Sequence, residues 1–265
     1  MPYVRKTKRT LRRPRRNTRR PKRSVPRSIK SLVSKAITRN QETKMSSTPY
    51  APTTFNSGIV SIGDAITVLP TVLSGTEQNS RIGSTIKPIK LVIRGYVTYV
   101  ADANAGARFI GGRLFCWSDK QVSNYGFASA GGLNLNLLDV GGNSQQFTGS
   151  TINFSMPTNK DQLRFYADKR MKILKPYGLS NTFSPSATTE ITAMNTTLYH
   201  PFTITIPASK MPATLKYDGS VSSGYPLNFA PYISLGYVDL FGYPADTTVT
   251  QLKMEFVSTL YYKDA

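Results

Sequence analysis

The sequence predicts an all-β fold: an antiparallel jelly-roll sandwich preceded by a disordered, Arg-rich N-terminal arm with a short amphipathic helix. Three observations lead there. Period-2 alternation of apolar and polar residues recurs from about residue 55 onward. Turn signals separate these runs, and no long amphipathic helix follows residue 45. Finally, sixteen of the 34 Lys and Arg residues lie in residues 1–40, which contain no acid. Residues 41–265 then hold eighteen Lys/Arg against fourteen Asp/Glu, a net of +4 out of +20. The chain therefore divides into a polycation, residues 1–45, and a nearly neutral globular body of sandwich type, residues 46–265.

The arm begins RKTKRTLRRPRRNTRRPKR over residues 5–23, where twelve of nineteen side chains are cationic. Pro2, Pro14, Pro21 and Pro26 remove backbone donors and disfavour helix before them. Dense like charge with almost no apolar side chain cannot offset the entropy of ordering, so residues 1–27 are expected to be disordered. Guanidinium forks match phosphate geometry. The predicted nucleic-acid-binding set is Arg5, Lys6, Lys8, Arg9, Arg12, Arg13, Arg15, Arg16, Arg19, Arg20, Lys22, Arg23, Arg27 and Lys30. Binding by such a set releases counterions, depends on salt and is largely indifferent to base sequence. Residues 12–23 also have the composition of a nuclear-import signal. The Pro/Arg alternation argues against a mitochondrial presequence, which needs a helix. A membrane tether is disfavoured because aromatics and a lipidation motif are lacking.

Residues 28–39, SIKSLVSKAITR, place Ile29, Leu32, Val33, Ala36 and Ile37 on one helical face. Ser28 suits an N-cap, and Lys35 and Arg39 suit the last turn. Twelve residues make a marginal isolated helix, which needs a surface to pack on.

Four segments read as half-buried strands. In residues 86–100, Ile89, Leu91, Ile93, Val97 and Tyr99 share one face and Lys90, Arg94 and Thr98 the other. Phe202, Ile204 and Ile206 alternate with Thr203 and Thr205; Ile233, Leu235 and Tyr237 alternate with Ser234 and Gly236. Leu252, Met254, Phe256 and Leu260 alternate with Gln251, Lys253 and Glu255. Weaker strand candidates cover 59–62, 66–73, 108–117, 146–155 and 163–174. Turns are expected at 102–106, 131–132, 141–142 and 185–189, and a short helix near 120–130 or 134–139. Gly111-Gly112 and Gly141-Gly142 read as turns or bulges, and the charged stretch of Asp161, Asp168, Lys169 and Arg170 as a solvated turn.

The residues that catalysis would require are sparse. His200 is the single histidine and Cys116 the single cysteine. The former reads as structural or surface-exposed, the latter as a buried inert thiol beside Trp117. No GxSxG elbow, GK[ST] phosphate loop, zinc ligand set or DxDxDG loop is present. One cysteine forms no internal disulfide. No run approaches eighteen apolar residues, so no membrane insertion is expected, and no apolar stretch follows the basic N-terminus as a secretory signal requires. The reading is of a protein that is not an enzyme and needs no cofactor and no metal. Most aromatics alternate inward with Ile and Leu. Tyr177, Tyr225 and Tyr243, each near Pro or Gly, are the ones expected in subunit contacts.

Certain segments also carry a resemblance. RIGSTIKPIKLVIRGYV at 81–97 looks like the entry into a first long strand. FYADKRMKIL at 165–174 looks like a mid-chain strand with an Asp-Lys turn, and LKMEFVSTLYYKD at 252–264 like a final strand. With the arm, these resemble the capsid proteins of circovirus-like viruses, which have small circular single-stranded DNA genomes. The resemblance implies a homo-oligomeric icosahedral shell of about sixty copies. It further implies arms turned inward onto single-stranded DNA, contact with host nuclear import machinery and a cell-surface receptor, and residence in the virion and, during infection, the host nucleus. Capsids of single-stranded RNA viruses share the plan, so DNA and RNA both stay open. A cellular nucleic-acid-binding protein of ribosomal or nucleoid type is a further alternative, against which the near-neutral body argues. A β-sandwich enzyme or lectin with a targeting arm is disfavoured by the missing catalytic and metal residues.

Overall fold

The computed structural model of the chain describes residues 42–100, 108–175, 199–218, 224–240 and 252–264. The arm, the helix expected at 28–39 and the turns expected at 102–106 and 185–189 lie outside the described residues. Among the described residues there are eleven strands: β1 (Lys44–Phe55), β2 (Ile66–Thr67), β3 (Thr85–Tyr99), β4 (Arg108–Asp119), β5 (Leu138–Val140), β6 (Asn143–Gln145), β7 (Leu163–Lys175), β8 (Tyr199–Pro207), β9 (Leu215–Lys216), β10 (Tyr232–Asp239) and β11 (Leu252–Asp264). β1 starts two residues ahead of the expected domain boundary.

Two antiparallel sheets dominate. One runs β1-β11-β3-β8, with β9 also paired to β3, and the other runs β2-β10-β4-β7. β5 and β6 form a separate ribbon. Among the eight sandwich strands, the first pairs with the last (β1 with β11), the second with the seventh (β2 with β10), the third with the sixth (β3 with β8) and the fourth with the fifth (β4 with β7). This is a long hairpin wrapped across two sheets, the strand order of a jelly roll.

The alternating pattern explains the core. Leu91, Ile93, Val97, Phe202, Ile204, Ile206, Leu252, Met254, Phe256 and Leu260 point from the first sheet toward Ile110, Leu114, Cys116, Met171, Ile173, Ile233 and Leu235 of the second. Burying each large aliphatic or aromatic side chain contributes roughly 1.5–3 kcal/mol before the entropy of ordering is charged against it. A second core covers the other face of the β2-β10-β4-β7 sheet. There Phe115, Trp117 and Tyr232 pack with Ile59, Leu137 and Phe147 from the connecting segments. Every residue of β10 is buried as a result. The sequence pattern gave a half-buried strand. The second face is covered by side chains distant in sequence, and Gly236 leaves the room that Phe147 occupies, since a Cβ there would lie 2.6 Å from its ring.

Several expectations need correction. Ile89 is not in the inward row. The β3–β11 register shifts between Tyr261 and Tyr262, which face Lys90 and Pro88, so Ile89 is an extra residue and Ile86 and Pro88 take the buried positions ahead of it. Residues 59–62 and most of 66–73 are not strand; Ile59 makes an isolated bridge to Phe147. In 146–155 the alternation is broken at Gly149 (φ +82°), and residues 151–154 form a 3-10 turn. Buried Asn153 fixes this turn by accepting from the Thr148 amide at 2.9 Å. Gly111 and Gly112 are neither turn nor bulge. They lie within β4, and a Cβ on Gly112 would come within 2.8 Å of Met171. Gly141 (φ +59°) and Gly142 (φ +89°) do form a turn, the two-residue loop of the β5–β6 hairpin, which requires positive φ at both positions. Of the two helix candidates, a short helical turn at Tyr125–Phe127 is present, and 134–139 holds none.

Of the charged stretch, Asp161 does lie in an exposed turn, but Asp168, Lys169 and Arg170 do not. Residues 163–175 are one continuous strand, and Asp168 is drawn to the fully buried Arg113 of β4. Likewise no Asp-Lys turn interrupts 165–174.

Candidate nucleic-acid interface

All fourteen residues of the predicted set, Arg5 through Lys30, lie outside the described residues. What the structure supplies is the root to which that segment is joined and the sheet face beside it.

The root is tightly held. Lys44, the first residue of β1, places its Nζ 2.8 Å from Asp264 Oδ2 at the far end of β11, and donates to the Ser80 carbonyl at 3.0 Å. Asp264 Oδ1 accepts from the Ile82 amide at 3.2 Å. Next to Ser80, the buried Arg81 donates from Nε to Val72 O (3.3 Å), from Nη1 to Gly83 O and from Nη2 to Asp218 O (3.2 Å). Its guanidinium stands 4.7 Å above the Tyr217 ring. A buried cation needs such partners, and here three segments converge to supply them. Ser46 and Ser258 continue the lock by donating to the carbonyls of Thr71 and Val68.

From this corner the outer face of the first sheet extends. Inward neighbours fix its membership by parity. Lys87 of β3 lies directly opposite Lys263 of β11. Lys90 lies opposite Tyr261, with its ammonium 4.7 Å from the ring centroid. Lys216 of β9 faces Thr85, one inward residue before Lys87. Arg94 and Lys253 follow farther along. Glu255 is the acid on the β3 and β11 rows of this face, and it accepts a hydrogen bond from the Tyr96 hydroxyl. Tyr96 also packs against Tyr199, their centroids 5.2 Å apart.

Sequence reasoning put Lys90 and Arg94 on one face but missed the cluster. A small net charge conceals a local excess, and the β11 and β9 members become neighbours only through pairings distant in sequence. Alternation in 252–264 was the available signal for Lys253 and Lys263.

No protein family matches the sequence, and no curated protein matches it.

The isolated reactive groups have structural settings. Cys116 is fully buried, and burial pushes its thiol far up from the ordinary range. His200, in β8 and half-buried, is held below the usual imidazole range by burial and then by the Lys169 charge. Among the described residues no three His, Cys, Asp or Glu side chains gather to hold a metal ion, and no helix is long and apolar enough to cross a membrane. Of the three tyrosines expected in contacts, Tyr177 and Tyr243 lie outside the described residues. Tyr225 is half-buried and stacks on Tyr125 at 4.1 Å, beside a pocket of about 380 Å³ that Leu73 and Leu227 also line.

Proposed function

We propose that the chain is a viral coat protein that assembles into a small icosahedral shell and packages single-stranded DNA through its Arg-rich arm. The observation that carries this reading is the pairing of two parts. A sixteen-cation segment without acids runs directly into the first strand of a jelly-roll sandwich whose remainder has a net charge of only +4. A sandwich of this kind offers broad sheet edges and loops for self-association, and the arm offers phosphate neutralisation.

The charge balance fits. About sixty arms with sixteen cations each supply about 960 positive charges, enough to neutralise part of a genome of roughly 1–3 kilobases. Forty extended residues reach at most ~130 Å. Nuclear entry through residues 12–23 belongs to the same proposal.

The test is to express the full chain and image it by electron microscopy. Closed particles of uniform size containing nuclease-protected nucleic acid are the expected result. A stable monomer at high concentration and physiological salt sinks the reading. Sequencing the protected material separates DNA from RNA, the alternative cargo for the same architecture.

A further inference from the structure

We infer that the outer face of the β1-β11-β3-β8 sheet is a second binding site for single-stranded nucleic acid, separate from the arm. The inference rests on the packaging reading and adds to it a surface on the folded body.

Charge is the first argument. Six cations, Lys87, Lys90, Arg94, Lys216, Lys253 and Lys263, share that face with one acid, Glu255, by the strand registers. Lys87, Lys90, Arg94 and Lys216 are exposed. Lys87 and Lys263 stand directly across from one another. From Lys90 to Arg94 the face advances four residues, about 13 Å, so an anionic ligand that uses both must be extended.

Aromatic placement is the second argument. Tyr261 lies within the basic cluster against Lys90, and Tyr96 and Tyr199 lie at the other end of the sheet face. Tyr199 is 53% exposed. Phosphate-binding cations alternating with ring faces are what an unpaired strand engages, phosphates on the former and bases on the latter. A duplex keeps its base faces stacked inside, so it uses only half of this surface. Between the two aromatic ends lie the small outward residues Thr203, Thr205 and Thr259, with the buried Val92 between the last two.

Connectivity is the third. The chain enters β1 at Lys44, and Lys44 pairs with Tyr262, one residue from both Tyr261 and Lys263. A strand held by the arm is joined to this body through the same chain, which raises its effective concentration for the body's surface.

The experiment uses the full chain and a 4-thiothymidine-substituted oligothymidylate of about twenty nucleotides. After irradiation and digestion, cross-links are expected on peptides containing Tyr261 or Tyr96 as well as on the arm. In parallel, the salt dependence of binding is compared between the wild type and the triple variant Lys87→Gln, Lys90→Gln, Arg94→Gln. Its slope in log K against log salt should fall by about 2, three lost phosphate contacts at roughly 0.7 each. Lys160→Gln, exposed but in a loop outside this sheet, should leave the slope unchanged. Cross-links confined to the arm, or an unchanged slope in a triple variant with wild-type circular dichroism, overturn the second site while leaving packaging intact. No binding by the wild type overturns both.

Discussion

The Arg113 guanidinium, fully buried in β4, grips the Asp168 carboxylate of β7 with two bonds, Nε to Oδ1 at 2.9 Å and Nη2 to Oδ2 at 2.7 Å. Its third donor goes to the Asn153 carbonyl at 2.7 Å, and its plane sits 4.8 Å from the Phe115 ring centre. The bidentate pair joins two strands, and the third bond ties the segment 151–154 to the sheet. Replacing Asp168 with Ala leaves a buried cation short of its counter-ion and should cost on the order of 3 kcal/mol in urea unfolding. Because Asp168 is partly exposed and Arg113 is not, the double variant Arg113→Met, Asp168→Ala should be more stable than Asp168→Ala alone. Equal stability of the two would contradict this account.

Gly95 of β3 lies directly opposite Phe256 of β11 and has no room for a side chain. A Cβ added there would lie 2.3 Å from the Glu255 carbonyl oxygen and 2.5 Å from the Phe256 Cβ. Neither obstacle is a flexible side-chain tip, so the ladder itself must move. Gly95→Ala should destabilise the body by about 2 kcal/mol or more in thermal or urea melts. A neutral result would show that the ladder yields more readily than its geometry suggests.

Cys116 supplies a direct probe of folding. It is buried between the sheets, and burial holds the thiol protonated well above pH 9. Native protein at pH 8 should react with a water-soluble aromatic disulfide reagent only as fast as it unfolds. One thiol per chain should be released at once in denaturant.

Alkaline stability follows from the buried tyrosines. Burial, and then the Asp264 charge, pushes the Tyr262 phenol up to about 12, and burial raises Tyr50, Tyr217 and Tyr232 as well. The folded state thus prefers the neutral phenol. The stabilisation is intact below pH 10, the ordinary phenol value, and is lost as pH rises from 10 through 12, where the unfolded chain ionises first. Unfolding midpoints should therefore fall over that window. The Tyr262 hydroxyl is buried with no hydrogen-bond partner among the described residues, so Tyr262→Phe should be neutral or stabilising at pH 7 and should narrow the alkaline loss. By contrast, Tyr50→Phe gives up a bond to the Leu69 carbonyl (3.2 Å) and should cost about 1 kcal/mol.

Deleting residues 1–27 removes thirteen of the sixteen arm cations. The variant should keep the circular dichroism and melting behaviour of the β body and lose nuclease-protected nucleic acid. A truncated chain that cannot fold would refute the division into polycation and globule.

Much of the sandwich was legible in the sequence because one face of most strands is dry and the other wet. Phe202, Ile204 and Ile206 against Thr203 and Thr205 show it most clearly, and all five fall as the alternation predicts. Where both faces are dry, as in β10, alternation survives only as a trace, since Ser234 is buried too and satisfies the Trp117 Nε1 at 3.1 Å. Where a bulge intervenes, parity flips and the pattern misleads, as at Ile89. The charged run at 168–170 was misread for a related reason: composition says "surface" and cannot announce that Arg113, 55 residues earlier, lies beneath. The basic sheet face was hidden the same way, its members drawn from β3, β9 and β11. The arm is a different case. It lies outside the described residues, and the chemistry expected of it rests on composition alone.

The pairing of β1 with β11 also has a kinetic side. Lys44 meets Tyr262 across 217 intervening positions, and β11 lies between β1 and β3 in its sheet. Until β11 has been synthesised, neither neighbour has its main partner, and the corner gathered by Lys44 and Asp264 does not exist. Contacts this distant close slowly. A growing chain thus already has its polycation, able to hold anions, well before it has a finished sandwich able to meet other copies. For the coat protein proposed above, order of synthesis alone would set cargo capture ahead of assembly.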